Sequence, residues 1–321
     1  MIVLNAEPSG YSRAAFNKMC KLGTVIECEC RSRGQLLEKL RDVEILIVRL
    51  AHKVDSVVMD GAPSLRVIVT ATTGLNHIDM EAAAERGITV LSLKGERAFL
   101  DTLTATAELT WAILLAMVRH VPTAHQHVVN GGWNRDLFRG RQLQNKTLGI
   151  IGYGRLGSIV AAYGRTFLMK VLAHDPFVSE VPAGIEKVGL ERVLSQSDVI
   201  SLHVNLDSST TGMIDSELIQ QIKYGAVLVN TSRGELVDEN ALLEALEVGR
   251  LSGVALDVLS GETSGDPNWL TKNKIWQYAQ KHDNVILMPH VGGATQESME
   301  ATELFMVDKL ISYLKTTKNI C

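Results

Sequence analysis

Three side chains in the second half of the chain have the chemical types that acid–base chemistry on an anionic substrate requires. They are Arg233, Glu262 and His290, and each follows an apolar run of the kind that forms buried strands. A guanidinium is permanently charged and contacts carboxylates through two parallel hydrogen bonds. An imidazole exchanges a proton near neutral pH. Each residue also has an ordinary alternative as a strand-end or loop residue, so its interpretation depends on the rest of the chain.

A glycine-rich motif lies upstream of these residues, directly after the apolar run 147–151. It consists of Gly152, Tyr153, Gly154, Arg155, Leu156 and Gly157. Between a strand and a helix, this Gly-x-Gly-x-x-Gly pattern is typical of dinucleotide binding. The glycines let the backbone approach a pyrophosphate, and the helix N-terminus supplies N–H groups and partial positive charge. The motif alone is weak evidence, and its setting strengthens it.

An acidic residue follows the next predicted strand. Asp175 lies 18 positions beyond Gly157, after the apolar run 170–173. A carboxylate near this spacing binds the ribose hydroxyls of an adenosine. It would repel the additional phosphate of NADP, so the sequence predicts NAD. The alternative interpretation is a turn aspartate that precedes Pro176.

The composition is that of an ordinary globular protein. The chain has 321 residues, 46% of them hydrophobic, and a net charge of −4, which offers no basic surface for nucleic acid. No apolar run reaches the ~18 residues of a membrane helix, and the first residues do not resemble a secretory signal. We therefore expect a cytoplasmic protein without membrane partners.

The cysteines do not form a recognisable metal motif. Cys28 and Cys30 lack a second Cys or His pair at a familiar spacing, and Cys20 and Cys321 stand apart in the sequence. Two reduced thiols on one face of a strand are the simpler interpretation. We expect no metal.

Apolar runs alternate with helix-length segments in two successive series, which predicts an α/β protein with two doubly wound parallel-sheet domains. The predicted strands of the first series are 2–4, 24–26, 45–48, 67–69 and 88–90. Those of the second series are 147–151, 170–173, 199–202, 226–229, 253–256 and 285–288.

Two long helical segments set the expected domain bounds. The apolar segment Thr104–Arg119 is expected to cross between the domains, and the periodic tail Gln296–Leu314 is expected to return to the first. The prediction is a discontinuous first domain, 1–103 plus 296–321, and a nucleotide-binding domain, 104–295.

Motifs along nearly the whole chain together resemble the D-2-hydroxyacid dehydrogenase family. In the first half these are Ile47-Val48-Arg49, Gly74-Leu75-Asn76-His77-Ile78-Asp79 and the stretch from Gly132 to Gly154. In the second half they are Leu202-His203-Val204-Asn205-Leu206, the stretch Val229–Asp238, and Met288–Thr295. The resemblance implies a flavodoxin-like substrate domain, a Rossmann NAD-binding domain and a homodimer.

The resemblance also assigns roles to the three residues introduced first. It implies that Arg233 binds the substrate carboxylate and polarises the oxygen on C2. It implies that His290 is the acid–base residue, which takes the hydroxyl proton as hydride leaves C2 for nicotinamide. Glu262 would orient the imidazole and favour its charged form.

Further residues are implied by the same resemblance. On the cofactor side, Thr231 and Asp257 would lie around the nicotinamide, His203 and Thr210 near the adenosine and phosphates, and Gly292 also at the cofactor. On the substrate side, the backbone of Thr73 and Gly74 would receive the carboxylate, and Arg49 would bind a phosphate in phosphoglycerate-type members. An exposed strand-end residue is the alternative for Arg49.

The substrate remains open between 3-phosphoglycerate, glycerate or hydroxypyruvate, and lactate types. Arg49 favours the first, whereas Ala51 lacks a second cation that such members often carry. The stretches 94–101 and 264–282 are insertions relative to the family pattern and could reshape substrate selection. The alternative function is an NAD(H)-sensing co-regulator without catalysis.

Overall fold

The computed structural model describes residues 1–318, which form two units. Unit 1 contains Met1–Leu103, Thr263–Gly265 and the chain from Ala294 onward, and unit 2 contains Thr104–Glu262 and Asp266–Gly293. Residues 319–321, including Cys321 and the end of the predicted first domain, lie outside the described residues.

Unit 1 is built on a five-stranded parallel sheet. Its strands are β1 (Ile2–Asn5), β2 (Thr24–Glu27), β3 (Ile45–Val48), β4 (Val67–Thr70) and β5 (Thr89–Leu91). Their spatial order is β2-β1-β3-β4-β5. This is the flavodoxin-like order, in which the direction of winding reverses between β1 and β3.

Helices cover both faces of this sheet. They are α1 (Arg13–Met19), α2 (Arg33–Lys39), α3 (Ser56–Asp60), α4 (Met80–Glu85), α5 (Arg97–Leu100) and the C-terminal α14 (Gln296–Lys318). Leu36, Leu46 and Ile68 belong to the core on one face. On the other face, Met306 and Leu310 of α14 pack in one cluster with Ile45.

Unit 2 is built on a seven-stranded parallel sheet. Its strands are β6 (Thr147–Ile151), β7 (Lys170–His174), β8 (Ile185–Lys187), β9 (Val199–Leu202), β10 (Ala226–Asn230), β11 (Leu251–Leu256) and β12 (Val285–Leu287). Their order is β12-β11-β10-β9-β6-β7-β8, so β6 pairs with both β7 and β9. The first six strands of the unit have the Rossmann order, with the winding reversed between β6 and β9.

The helices of unit 2 alternate with these strands. They are α6 (Ala105–Val118), α7 (Val121–Val129), α8 (Arg155–Thr166), α9 (Leu190–Gln196), α10 (Ser216–Gln221), α11 (Glu239–Glu247), α12 (Trp269–Lys272) and α13 (Lys274–Ala279). Short 3-10 helices occur at Arg135–Phe138 and Gly234–Leu236. Among residues 1–318, no helix combines the length and the apolar character that a membrane crossing demands.

The prediction of two doubly wound parallel sheets is confirmed, and α7, β8 and α9 are among the elements that the sequence pattern did not predict. Helix α7 begins after His120, whose φ of 53° breaks the chain direction, and Pro122 lies in its first turn, where no helical N–H is lost. Strand β8 has only three residues and α9 only seven, so neither gave a periodic pattern.

Candidate active site

The loop after β6 has the shape of a phosphate cradle. Gly152 has a φ of 90°, and a Cβ there would lie 2.6 Å from the His203 carbonyl oxygen. A Cβ at Gly157 would overlap the Gly152 carbonyl oxygen, whereas Gly154 faces open space. Because β6 lies at the switch point of its sheet, the cradle occurs where doubly wound sheets bind nucleotides.

Helix α8 begins directly at this loop. Gly154 is its N-cap, Arg155 and Leu156 form its first turn, and all three are at least partly accessible. The backbone N–H of Tyr153 donates a hydrogen bond to the Asp175 carboxylate at 2.9 Å. The loop, the helix N-terminus and Asp175 therefore form one continuous edge in unit 2.

The contacts of Asp175 fit both interpretations that the sequence allowed, a ribose-binding carboxylate and a turn aspartate. Its Oδ1 accepts the N–H of Phe177 at 2.8 Å, as expected of a turn aspartate. Its Oδ2 lies against the glycine loop, through the bond from Tyr153. A carboxylate in this position fits a ribose and disfavours a 2′-phosphate, so the residues present fit NAD.

His203 and Thr210 shape the loop after β9, on the other side of the switch point. His203 Nε2 lies 2.8 Å from Ser201 Oγ, and its buried Nδ1 has no partner within residues 1–318. Burial lowers the pKa of His203 to about 3, so its ring is neutral. Thr210 Oγ1 donates to the Asn205 carbonyl at 2.7 Å and accepts from the Asp207 N–H at 2.8 Å.

Arg233 lies in a tight turn that follows β10. Asn230 is buried; its side chain donates to the Arg233 carbonyl at 2.8 Å and accepts from the Ser232 N–H at 2.9 Å. Burial lowers the pKa of Arg233, while the charges of Glu262 and Glu235 oppose that shift. The guanidinium remains charged at any physiological pH because its intrinsic pKa is so high, so the turn presents a half-buried cation.

His290 and Glu262 form a direct pair. His290 Nδ1 lies 2.8 Å from Glu262 Oε1, and the two side chains are 24% and 12% exposed. A carboxylate accepts only, so Nδ1 is the protonated nitrogen in this contact. In the neutral imidazole, Nε2 is therefore the atom that can take a proton.

Asp257 holds the backbone that carries His290. Its buried carboxylate accepts the N–H groups of Val291 and Gly292, both at 2.8 Å, and its carbonyl accepts the N–H of His290 at 2.9 Å. His290 has a φ of 53°, an unfavourable conformation for a residue with a Cβ. Burial raises the pKa of Asp257, and the two N–H bonds and His290 oppose the rise.

Thr231 is buried, two residues before Arg233. Its Oγ1 lies 2.8 Å from Thr110 Oγ1 on α6, so its hydroxyl is engaged within unit 2. The structure thus places Arg233, Glu262, His290, Asp257 and Thr231 in the same unit as the glycine loop.

Two supporting residues were missed from the sequence. Asn230 shapes the arginine turn, as described above. Glu239, the first residue of α11, accepts the Ser260 N–H at 2.7 Å and the Asn273 side-chain N–H at 2.6 Å. It therefore ties the segment before Glu262 to the inserted stretch that contains α13. The sequence indicated only that Glu239 is an acidic residue in the first turn of a predicted helix.

The predicted substrate-binding residues Arg49, Thr73 and Gly74 lie in unit 1. Within residues 1–318, the backbone N–H groups of Thr73 and Gly74 donate no hydrogen bond, while Thr72 Oγ1 donates to the Gly74 carbonyl at 2.8 Å. Arg49 follows β3, and its side chain is 23% exposed. Arg49 is thus a strand-end residue, as in the alternative interpretation, but its side chain is half-buried rather than exposed.

Comparison with known proteins agrees with this geometry. Residues 111–292 match the family model for the NAD-binding domain of D-isomer specific 2-hydroxyacid dehydrogenases. The chain is 36% identical to a D-3-phosphoglycerate dehydrogenase of Archaeoglobus fulgidus over 98% of the chain and 58% of that protein. It is 34% identical to a hydroxypyruvate reductase of Thermotoga maritima over 90% of each.

A solved structure shares the fold over almost the whole length. The D-lactate dehydrogenase of Aquifex aeolicus, crystallised with NAD and lactic acid, is 28% identical with a TM-score of 0.83 and covers 98% of this chain and 96% of its own. The chain spans only 49% of the length of the Rattus norvegicus D-3-phosphoglycerate dehydrogenase that it matches.

Proposed function

We propose, because the chain belongs to the D-isomer specific 2-hydroxyacid dehydrogenase family, that it interconverts a D-2-hydroxy acid and the corresponding 2-oxo acid with NAD. The observation that carries this proposal is the His290–Glu262 pair, which occurs in the same unit as Arg233 and the glycine loop. The residues proposed for proton transfer and those proposed for nucleotide binding then lie at the same edge of the unit 2 sheet.

In the proposed oxidation, His290 Nε2 takes the proton of the C2 hydroxyl. NAD supplies the hydride acceptor when it is bound. Glu262 stabilises the imidazolium that forms, because its carboxylate is already bonded to Nδ1. Arg233 binds the substrate carboxylate and the C2 oxygen, and its partial desolvation strengthens both contacts. In the reductive direction the imidazolium returns the proton.

On the substrate side of the proposal, the Thr73–Gly74 backbone is an anion-binding loop. Its two unused N–H groups suit a carboxylate. The relatives named for 3-phosphoglycerate and hydroxypyruvate support a small 2-hydroxy acid as substrate class.

We further propose a homodimer in the cytoplasm. Helix α7 has no buried residue, and apolar side chains continue beyond it into the 3-10 helix. We call this set the α7 surface; it comprises Val121, Val128, Val129, Trp133 and Leu137. Trp133 is 89% exposed, and a second copy of the chain would cover it.

A spectrophotometric panel tests the enzymatic proposal. NADH consumption is measured with glyoxylate, pyruvate, hydroxypyruvate and phosphohydroxypyruvate, followed by NAD reduction with D- and L-2-hydroxy acids. We expect turnover with at least one 2-oxo acid and oxidation of the D isomer. Tight NADH binding without any turnover would favour the co-regulator alternative, and oxidation of L isomers alone would contradict the proposal.

A further inference from the structure

The carboxyl edge of the unit 1 sheet has its own switch point, between β1 and β3. In open α/β sheets, ligands bind outside the carboxyl ends of the strands at such points. Glu7 follows β1 by two residues and Arg49 follows β3 directly. These two residues therefore occupy the place in unit 1 where a ligand would be expected.

The Glu7 carboxylate fills an anion-binding arrangement of backbone donors. Its Oε1 accepts the N–H of Arg49 at 2.8 Å, and its Oε2 accepts those of Leu50 and Ala51, each at 3.3 Å. Three successive N–H groups directed at one carboxylate form the kind of concave site that binds phosphate in other proteins. Here the anion belongs to the chain itself, and Glu7 is only 7% exposed.

The Arg49 guanidinium is also hydrogen-bonded to the segment that contains Glu7. Its Nη2 donates to the carbonyl oxygens of Glu7 and Ser9, both at 2.6 Å. Its Nη1 lies 3.8 Å from Oε1 of Glu303, a residue of α14 that is 1% exposed. A ligand at this point would meet one cation that is already bonded and two carboxyl groups.

We propose that Glu7 acts as a built-in anion that excludes a phosphate group from the substrate, so that the enzyme uses non-phosphorylated 2-oxo and 2-hydroxy acids. This inference rests on the proposed dehydrogenase function. A phosphate dianion would have to displace the Glu7 carboxylate from its three N–H donors and remain beside it. A hydroxymethyl or methyl group on C2 carries no charge and meets no such repulsion.

The first test compares hydroxypyruvate with phosphohydroxypyruvate in the wild-type protein and three variants. We expect kcat/KM of the wild type to be at least 100-fold higher for hydroxypyruvate. Glu7→Gln removes the charge and Glu7→Ser also empties the donor site, so each should raise the relative kcat/KM for phosphohydroxypyruvate at least tenfold. Glu38→Gln is the matched control, because it removes an exposed carboxylate on α2 of the same unit.

Two results would overturn the proposal. One is a wild-type kcat/KM for phosphohydroxypyruvate within tenfold of that for hydroxypyruvate. The other is an equal substrate ratio in the folded Glu7 variants and the Glu38 control.

Calorimetry separates this proposal from the proposed function. D-glycerate and 3-phosphoglycerate are titrated into the wild-type protein saturated with NADH, with which neither hydroxy acid can react, so the measurement requires neither turnover nor a variant that folds. We expect D-glycerate to bind at least tenfold more tightly, and equal or tighter binding of 3-phosphoglycerate contradicts the exclusion. Absence of turnover with every 2-oxo acid would instead contradict the dehydrogenase function, while the calorimetric preference would still test whether the protein excludes the phosphorylated ligand.

Discussion

At the residue scale, His290 is held both at its ring and at its backbone. Glu262 binds ring Nδ1, whereas Asp257 binds the backbone on both sides of the Cα atom. The left-handed φ of 53° persists because these contacts overdetermine it. The imidazole is thus fixed before substrate arrives, which removes an entropic cost from proton transfer.

Replacement of His290 tests the acid–base role directly. His290→Ala should lower kcat by about 10²–10⁴-fold, the usual contribution of a general acid or base, because no other group replaces Nε2. NADH affinity, measured by fluorescence titration, should change less than threefold. His282→Ala, at an exposed histidine that bonds its own helix end, is the control. Wild-type turnover in His290→Ala would remove this residue from the mechanism.

His203 gives the fold a dependence on acid pH. Its pKa is about 3 in the folded protein and 6.5 as the ordinary value, because burial disfavours the cation. Below pH 6.5 the unfolded chain takes up a proton that the folded protein does not bind until about pH 3. Stability is therefore lost as the pH falls, by up to about 2 kcal/mol at pH 5.

Urea unfolding of the wild type and His203→Asn at pH 7.5 and pH 5.0 measures this effect. Between the two pH values, the variant should lose about 2 kcal/mol less than the wild type. An identical loss in both proteins would show that His203 does not stay neutral in the folded state.

At the element scale, α8, the helix that follows the glycine loop, is succeeded by a residue with an unfavourable backbone conformation. Leu168 follows α8 with a φ of 58° and a side chain that is 61% exposed. A left-handed conformation costs a residue with a Cβ about 1–2 kcal/mol, and this side chain recovers little of it by burial.

Leu168→Gly should therefore stabilise unit 2 by roughly 0.5–1 kcal/mol, after the greater flexibility of glycine in the unfolded chain is deducted. Thermal unfolding monitored by circular dichroism measures the change. Ala162→Gly, at an exposed position inside α8, should instead destabilise by about 1 kcal/mol. A decrease in stability for Leu168→Gly would show that the left-handed residue is not strained.

Elements were predictable from the sequence where one short segment contained the whole pattern. The buried strand Ile45–Val48 is four apolar residues in succession, and the Asp238 side chain caps α11 by accepting hydrogen bonds from the N–H groups of Asn240 and Ala241. Helix α7 was not predicted, because its valines face outward and leave no buried stripe. Local pattern therefore identifies elements that pack on a core and misses those with an exposed apolar face.

The candidate site could be predicted only in part from the sequence. Arg233 and His290 were singled out because each lies within a family motif, and Glu262 because the resemblance implies an acidic residue that orients the imidazole. The bonds that Glu239 makes to Ser260 and Asn273 join positions 21 and 34 residues apart, and no local pattern encodes them. The same is true of Arg49, whose motif suggested a ligand and whose actual partners are Glu7, Ser9 and Glu303.

At the scale of the whole molecule, the α7 surface makes a prediction about assembly. Wild-type protein should sediment as a dimer at micromolar concentration. The double variant Trp133→Ser, Leu137→Ser should shift to monomer, because it removes the two largest side chains of that surface. Phe177→Ser is the control, since Phe177 is 95% exposed elsewhere in unit 2. A monomeric wild type, or an equal shift in the control, would contradict the proposed dimer.

The return of α14 to unit 1 has a consequence for synthesis on the ribosome. Met306, Val307 and Leu310 cover the sheet face that includes Val3 and Ile45, yet Met306 follows the last strand residue, Leu91, by 215 positions. At about 5–20 residues per second, the ribosome needs roughly 10–40 seconds to synthesise the chain between Leu91 and Met306. Until then, α14 cannot pack on this face of the sheet. During this interval the nascent chain exposes a row of valines and isoleucines, which is the period when a chaperone would act on it.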